Sequence, residues 1–133
     1  MIEINLPNMP IPWTCKIGRG KMYNPHSKEL ALWRWQVKAL YRGDPIPGYV
    51  NVELTFYFPP PNSASKKMKA KMLSGEIIPT SCDCTNLQKF CEDAIKNILF
   101  TDDRNVAFIS SRKLYGSKEN VLIRVWPHDA NHS

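Results

Sequence analysis

The chain has no apolar run that approaches the roughly 18 to 20 residues of a membrane span. Its N-terminus, Met1 to Leu6, alternates apolar and polar residues as a short strand does, a pattern unlike a secretory signal peptide. It has no internal repeat and no long low-complexity tract. We therefore expect a cytoplasmic protein without a membrane partner, built as one domain around a single core.

Cysteine is scarce, and its spacing does not suit a zinc site. Zinc sites usually space paired cysteines as C-x2-C to C-x4-C, whereas one residue separates Cys82 from Cys84 and no histidine lies nearby in the sequence. Without a signal peptide, reduced thiols are expected. Cys91 falls on the apolar side of a predicted helix, which indicates core packing.

Acidic residues are in deficit. Twelve Asp and Glu stand against eighteen Lys and Arg, which gives a net charge of +6 and a pI near 9.2. This balance favours a polyanionic partner, although an ordinary basic surface would give the same numbers.

The hydrophobic periodicity predicts an α+β fold: a single small domain, with a mixed β-sheet and two main helices. The sequence predicts one domain over residues 1–127 and a frayed tail over 128–133. Strands are predicted at Ile2–Leu6, Tyr49–Phe58, Val106–Leu114 and Asn120–Trp126, and helices from Ser27 to about Tyr41 and from Thr85 to Leu99. The last two strands are predicted to form a hairpin through the turn-prone residues 115–118.

The first helix carries two apolar stripes. The core stripe consists of Leu30, Trp33, Val37 and Leu40 at helical spacing. A second stripe on the opposite side consists of Leu32, Trp35 and Ala39. One stripe is enough to dock a helix on a sheet, so the second predicts another layer or a second subunit, and we favour a dimer.

The segment 82–103 concentrates the groups that bear chemistry. Thr85 and Gln88 form a capping-box pattern, and Asp83 precedes the predicted helix start, where backbone N–H groups favour an anion. Asn86, Lys89 and Asp93 share a polar stripe, and Asp102 and Asp103 follow the helix. A purely structural interpretation stays open, in which these residues cap the helix, form a surface ion pair and make a turn.

The string Asp83-Cys84-Thr85-Asn86-Leu87-Gln88-Lys89, followed by Asp93 and Asp102-Asp103, resembles the RusA family of Holliday-junction resolvases. That family's pattern is roughly D-x-D-N-L-x-K, an Asp four residues later, and a D-D pair before a strand. The resemblance extends over about residues 1–127, and its specific part is 82–106. The resemblance implies an intertwined homodimer with two sites fixed across one assembly. It also implies an Mg2+-dependent endodeoxyribonuclease that nicks opposed strands of a four-way DNA junction, with Mn2+ as a substitute ion and no small-molecule cofactor.

Residue roles follow from the resemblance position by position. It implies that Asp83 and Asp103 are catalytic, metal-binding carboxylates, with Asp102 as a further metal ligand, and that Lys89 assists catalysis. Thr85 stands where the family has its second Asp. A neutral hydroxyl supplies no negative charge, so metal affinity is expected to fall, and Asp102 or Asp93 would compensate only in part. Asn86 lies near the site.

Cations must surround such a site before a DNA phosphate can approach it. The candidates for DNA contact are Arg19, Lys21, Lys66, Lys67, Lys69, Lys71 and Arg104. Two alternatives to an active resolvase stay open. One is a junction-binding protein that has lost catalysis through Thr85, and the other is a small metal-binding or interaction protein with structural similarity only.

Overall fold

A computed structural model of the protein describes residues 1–8, 28–80 and 83–129. Within these ranges the chain forms four strands and three helices, which confirms the predicted α+β class. The strands are β1 (Ile2–Leu6), β2 (Val50–Phe58), β3 (Val106–Tyr115) and β4 (Asn120–Pro127), and the helices are α1 (Lys28–Leu40), α2 (Lys66–Leu73) and α3 (Cys84–Ile95). No helix in the described ranges has the length and apolar character needed to cross a bilayer.

The four strands form one mixed sheet in the order β1-β4-β2-β3. Strand β4 lies antiparallel to both β1 and β2, whereas β3 runs parallel to β2 from the pair Val50/Val106 onward. The predicted hairpin between the last two strands is therefore wrong, because β2 lies between them. The connection after β3 instead crosses the end of β2, where the Gly116 N–H donates to the Phe58 carbonyl at 2.9 Å.

The hairpin prediction was wrong because the connection between β3 and β4 is as short as a hairpin loop. Residues 116–119 cover two interstrand spacings, about 10 Å, a distance that four residues reach when extended. Gly116 permits the crossing because a Cβ there would meet Tyr57 Cδ1 at 3.0 Å. Length and turn composition therefore fitted a hairpin and a crossing equally well.

The core lies between one face of the sheet and the helices α1 and α3. Alternate residues of β2 supply it, as predicted, and every second residue of β1 and β4 is buried beside them. Helix α1 packs along β1, α3 packs along β3, and the two helices contact each other. The ring of Trp33 meets that of Phe90 edge-on at 5.6 Å between centroids, which fixes the contact between α1 and α3.

The opposite face of the sheet is polar. Arg124 on β4 pairs with Glu3 on β1 at 2.7 Å and with Glu53 on β2 at 3.3 Å, and all three residues are neighbours in the strand register. Polar residues on this face alternate with core residues along β1, β2 and β4. The helices cover the other face of the sheet, and the candidate site lies on that side.

Helix α1 confirms most of its predicted core stripe. Leu30, Trp33 and Val37 are buried, but Leu40 is 53% exposed, and Tyr41 packs against the core just beyond it. The second stripe is uncovered by the described residues, with Trp35 68% exposed.

Helix α3 is shorter than predicted, because it ends at Ile95 and not at Leu99. Lys96 leaves the helix with an extended backbone, and Asn97 adopts φ +68°, a left-handed conformation that asparagine tolerates better than most residues. A tight turn follows, in which the Asn97 N–H donates to the Phe100 carbonyl at 2.8 Å. Residues 98–100 are buried in this turn, so the apolar periodicity continues past the real helix end.

An arginine on α1 holds the C-terminal end of α3. The Arg34 guanidinium donates through one nitrogen to the Asp93 carbonyl at 2.6 Å and to the Lys96 carbonyl at 3.0 Å. The C-terminal end of a helix has carbonyl groups without hydrogen-bond donors and carries a partial negative charge. The Arg34 guanidinium supplies both the missing donors and a compensating positive charge.

Several sequence predictions concern residues outside the described ranges. Arg19 and Lys21 belong to this group, as does Cys82. At the C-terminus, the His128 N–H donates to the Tyr49 carbonyl at 2.9 Å and so extends the contact of β4 with β2.

We predict that Arg34→Ala lowers the free energy of unfolding by about 1.5 to 3 kcal/mol, because two carbonyls lose a charged donor. Urea unfolding followed by circular dichroism measures this change. Arg42→Ala, which removes an exposed arginine just beyond α1, is the matched control and should cost less than about 0.5 kcal/mol. Equal losses in the two variants would show that the contact with α3 contributes nothing.

Candidate active site

The start of α3 places the first group of predicted site residues. Asp83 is the N-cap residue, with an extended backbone, and its exposed side chain makes no capping hydrogen bond to the described residues. Thr85 and Asn86 lie exposed in the first helical turn. The position agrees with the expectation that Asp83 precedes the helix start, where exposed N–H groups favour an anion.

The predicted capping box is wrong. Helix α3 begins at Cys84, one residue before Thr85, and the Gln88 side chain makes different contacts. Its amide donates to the Glu92 carboxylate at 3.2 Å, and its carbonyl oxygen accepts from the Ser111 hydroxyl of β3 at 2.8 Å. Gln88 therefore joins α3 to β3 on the helix face that it shares with Glu92.

Asp102 and Asp103 lie in the turn between α3 and β3, and their carboxylates differ in what they contact. Asp102 caps a single 3-10 turn, Asp103–Asn105: its Oδ1 accepts from the Arg104 N–H at 3.3 Å, and its Oδ2 accepts from the Arg104 guanidinium at 3.2 Å. The backbone hydrogen bond, and after it the guanidinium, hold the pKa of Asp102 below its ordinary value. Asp102 is thus ionised and already engaged in local structure.

Asp103 points back toward the C-terminal end of α3. Its Oδ2 lies 3.5 Å from the Lys96 ammonium, and its side chain is 42% exposed. Its Oδ1 is buried and has no hydrogen-bond partner among the described residues. A buried carboxylate oxygen without a donor is costly, and it marks Asp103 as the carboxylate of this turn that has capacity for a further ligand.

Glu92 is a residue that the sequence analysis missed. Burial raises the pKa of this half-buried carboxyl above its ordinary value, and repulsion from Asp103 and Asp93 adds to the rise, while the hydrogen bond from Gln88 and the charge of Lys89 oppose it. The i, i+4 spacing from Gln88 was a signal that could have placed Glu92 on the helix face toward β3.

The structure therefore gathers most of the polar groups at the C-terminal half of α3. Lys96 pairs with Asp103 there. The charges of Asp103, Asp93 and Lys89 each act on Glu92. Asp83 is not part of this group: nine residues separate it from Glu92, which is about 13 Å along a helix.

Metal-ligand geometry is only partly present. The described ranges contain no group of three or more His, Cys, Asp or Glu side chains arranged to hold an ion. Mg2+ commonly uses one or two carboxylates together with substrate phosphates, so a full protein cage is not required. The unpartnered Oδ1 of Asp103 fits one such ligand position, and its hard oxygen suits this class of ion.

The candidate DNA contacts that the structure describes are mostly solvent-facing. Helix α2 begins after Ser65, whose hydroxyl accepts from the Met68 N–H at 3.1 Å, and it lies against β3. Lys66, Lys67 and Lys71 are exposed on it and Lys69 is partly covered. Arg104 is exposed and pairs with Asp102.

The fold and site define a small basic α+β domain in which α3 and the turn that follows it carry several carboxylates together with Lys89 and Lys96. Residues 15–126 of this chain match the family described as Endodeoxyribonuclease RusA, more than half of the 133 residues. The chain therefore belongs to the RusA endodeoxyribonuclease family, and the resemblance drawn from the sequence is confirmed.

A curated relative gives a second comparison. The chain is 31% identical over 83 residues to a Bacillus subtilis (strain 168) protein named "Uncharacterized protein YqaN". The match covers 60% of this chain and 58% of the relative, so the chain spans somewhat more than half of that protein's length.

We predict that Glu92→Gln stabilises the protein near neutral pH. A carboxyl whose pKa is raised in the folded state gives stability that is present below its ordinary value of 4.5 and is lost as the pH rises through the raised pKa. The variant has no such loss, so its advantage should grow with pH and stay below about 1 kcal/mol, because solvent screens a half-exposed group. Urea unfolding of both proteins at several pH values checks this, and a difference that does not change with pH would contradict it.

Proposed function

We propose that this protein is a divalent-metal-dependent endodeoxyribonuclease that cuts four-way DNA junctions by phosphodiester hydrolysis. The proposal combines the family membership with one observation, the buried Oδ1 of Asp103 that has no donor within the described ranges. Mg2+ is the expected ion, and Mn2+ is the expected substitute. Branched DNA is the substrate, and the protein acts as a homodimer in the cytoplasm.

In this proposal the carboxylates bind the metal and a lysine acts on the phosphate. Asp103 would hold an ion through its carboxylate. Asp83 is carried over from the family pattern as a second metal-binding residue, at the opposite end of α3 from that ion. Lys89 lies within electrostatic range of Glu92 and neutralises charge that develops on the phosphate oxygens. When bound, a divalent cation activates both the phosphodiester and the attacking water.

The separation along α3 gives the two proposed ligands unequal roles. Asp83 is exposed at the N-terminal end of the helix, while Asp103 is held by Lys96 near its C-terminal end. Asp103 is therefore the ligand around which we build the site, and Asp102, engaged by Arg104, contributes less.

The homodimer is supported by the uncovered apolar stripe of α1. A soluble protein seldom leaves aromatic and leucine side chains together in solvent, and Leu32 and Trp35 are 61% and 68% exposed. Two opposed nicks require two sites fixed across one assembly, which a two-fold dimer provides.

Thr85 favours a second candidate function, a junction-binding protein with weak or lost catalysis. The family pattern has a carboxylate at this position, and the exposed threonine of α3 supplies none. Binding would persist in that case, because the basic groups carry the affinity for phosphates.

We predict that Asp103→Asn abolishes cleavage of a labelled four-way junction in Mg2+, a loss of at least about 100-fold, the scale of removing one electrostatic group from a reaction centre. Junction binding should persist, since the change removes a negative charge. Asp102→Asn is the matched control from the adjacent position and should retain more activity. Cleavage is followed on a denaturing gel beside a linear duplex. Paired cuts by Asp103→Asn at the wild-type rate would refute the assignment.

We predict that Thr85→Asp raises the rate of junction cleavage and lowers the Mg2+ concentration needed for half-maximal rate, because a second carboxylate joins Asp83 at the N-terminal end of α3. Thr85→Asn, which has the same shape without the charge, is the control. Junction affinity, measured without divalent metal, should change little. Equal rates and equal Mg2+ dependence in all three proteins would show that the missing charge is not limiting.

A further inference from the structure

Lys96 lies outside the motif that identifies the family, yet it is the cation that contacts Asp103. Its ammonium is 3.5 Å from Asp103 Oδ2, longer than a good charged hydrogen bond, and its side chain is 36% exposed. The contact is therefore loose on the lysine side, and the ammonium keeps access to solvent.

The backbone of Lys96 is much better fixed than its side chain. The Lys96 N–H donates to the Glu92 carbonyl at 3.1 Å, and the Lys96 carbonyl accepts from Arg34 at 3.0 Å. A bridge to Phe100 holds the same residue from the other side. The main chain thus fixes the Cα of Lys96, while its four-carbon side chain stays flexible. The ammonium can therefore exchange one partner for another without a change in the backbone.

The charges around Lys96 would repel DNA unless cations offset them. Burial is the main cause of the raised pKa of Glu92, and repulsion from Asp103 and Asp93 adds to it, so these three carboxylates lie within electrostatic range of one another. Arg104 is paired with Asp102 on the far side of the turn. A phosphate that approaches Asp103 therefore meets Lys96 as the cation already at that carboxylate.

Lys89 lies on α3, and Lys96 is the C-cap residue that follows the helix. Seven residues separate them, which is two helical turns and about 10 Å along the axis. Phosphates of one strand advance about 3.4 Å each along the duplex axis, so a separation of about 10 Å parallel to that axis corresponds to about three phosphate steps.

We propose that Lys96 is a second phosphate-binding residue of the site, paired with Asp103 in the free protein and transferred to a DNA phosphate in the complex. This inference rests on the proposed function, and it adds a substrate contact to it. Release of Lys96 frees Asp103 Oδ2 at the moment when the substrate arrives, so DNA binding and exposure of the carboxylate are coupled.

The test measures junction affinity for Lys96→Met against salt concentration, without divalent metal so that no strand is cut. Loss of one phosphate contact should reduce the slope of log affinity against log salt by about one and weaken binding several-fold at low salt. Lys96→Arg should keep the slope. Lys118→Met removes the same charge from the exposed connection after β3 and should leave the slope unchanged.

A second readout separates exchange of partners from a fixed ion pair. Asp103→Asn releases Lys96, so it should tighten junction binding in the wild-type background by more than it does in the Lys96→Met background. An unchanged salt slope in Lys96→Met, or equal effects of Asp103→Asn in both backgrounds, would overturn the assignment. Lys96→Gln is run in parallel, and urea unfolding verifies that every variant is folded.

Failure of the inference and failure of the proposed function give different results. If the wild-type protein binds a four-way junction no better than a linear duplex of equal length, the proposed function is refuted. The phosphate-binding role of Lys96 is then refuted as well, because it rests on that function. If the wild-type protein prefers the junction and Lys96→Met keeps the wild-type slope, only the role of Lys96 is refuted.

Discussion

The burial of one face of α3 determines the direction of the polar side chains that form the candidate site. Leu87, Phe90, Cys91, Ala94 and Ile95 are buried against the sheet and α1, and burial also raises the pKa of the Cys91 thiol. Five buried side chains leave the helix no freedom to rotate about its axis. The remaining face must therefore turn toward β3 and solvent, and its polar side chains have a defined direction.

That constraint, together with the Arg34 contact, creates the site from groups distant in sequence. Arg34 holds the carbonyl end of α3, and the turn after it returns the chain so that Asp103 meets Lys96. Gln88 and Ser111 join the helix to β3 a turn earlier. The turn that carries Asp102 and Asp103 thus lies against the C-terminal end of α3. Glu92 lies there within electrostatic range of Asp103 and Lys89.

The sequence was sufficient for much of the fold. Alternation in β2 and the helical stripe of α3 predicted buried faces that the structure confirms, because apolar periodicity follows directly from which face meets the core. The pairing of β3 with β2 was not predictable in the same way. A four-residue connection fits a hairpin, and only the parallel ladder with β2 excludes it.

The site was predicted less completely, for a physical reason. A motif names residues such as Asp83, Lys89 and Asp103, but it does not contain the tertiary contacts that decide which of them meet. Glu92 and Lys96 entered only through the structure, since their roles depend on where the turn after α3 brings Asp103. The family resemblance assigned catalysis to Asp103 and not to Asp102, and the ion pair of Asp102 with Arg104 gives a physical difference between the two carboxylates.

The central claim is that Asp103 is the carboxylate on which the metal site is built. Paramagnetic broadening of backbone amide NMR signals during a titration with Mn2+ tests it without reference to catalysis. The account predicts that broadening at low Mn2+ centres on Asp103 and the C-terminal half of α3, and that Asp103→Asn removes it. Broadening centred elsewhere, or unchanged in the variant, would contradict the claim.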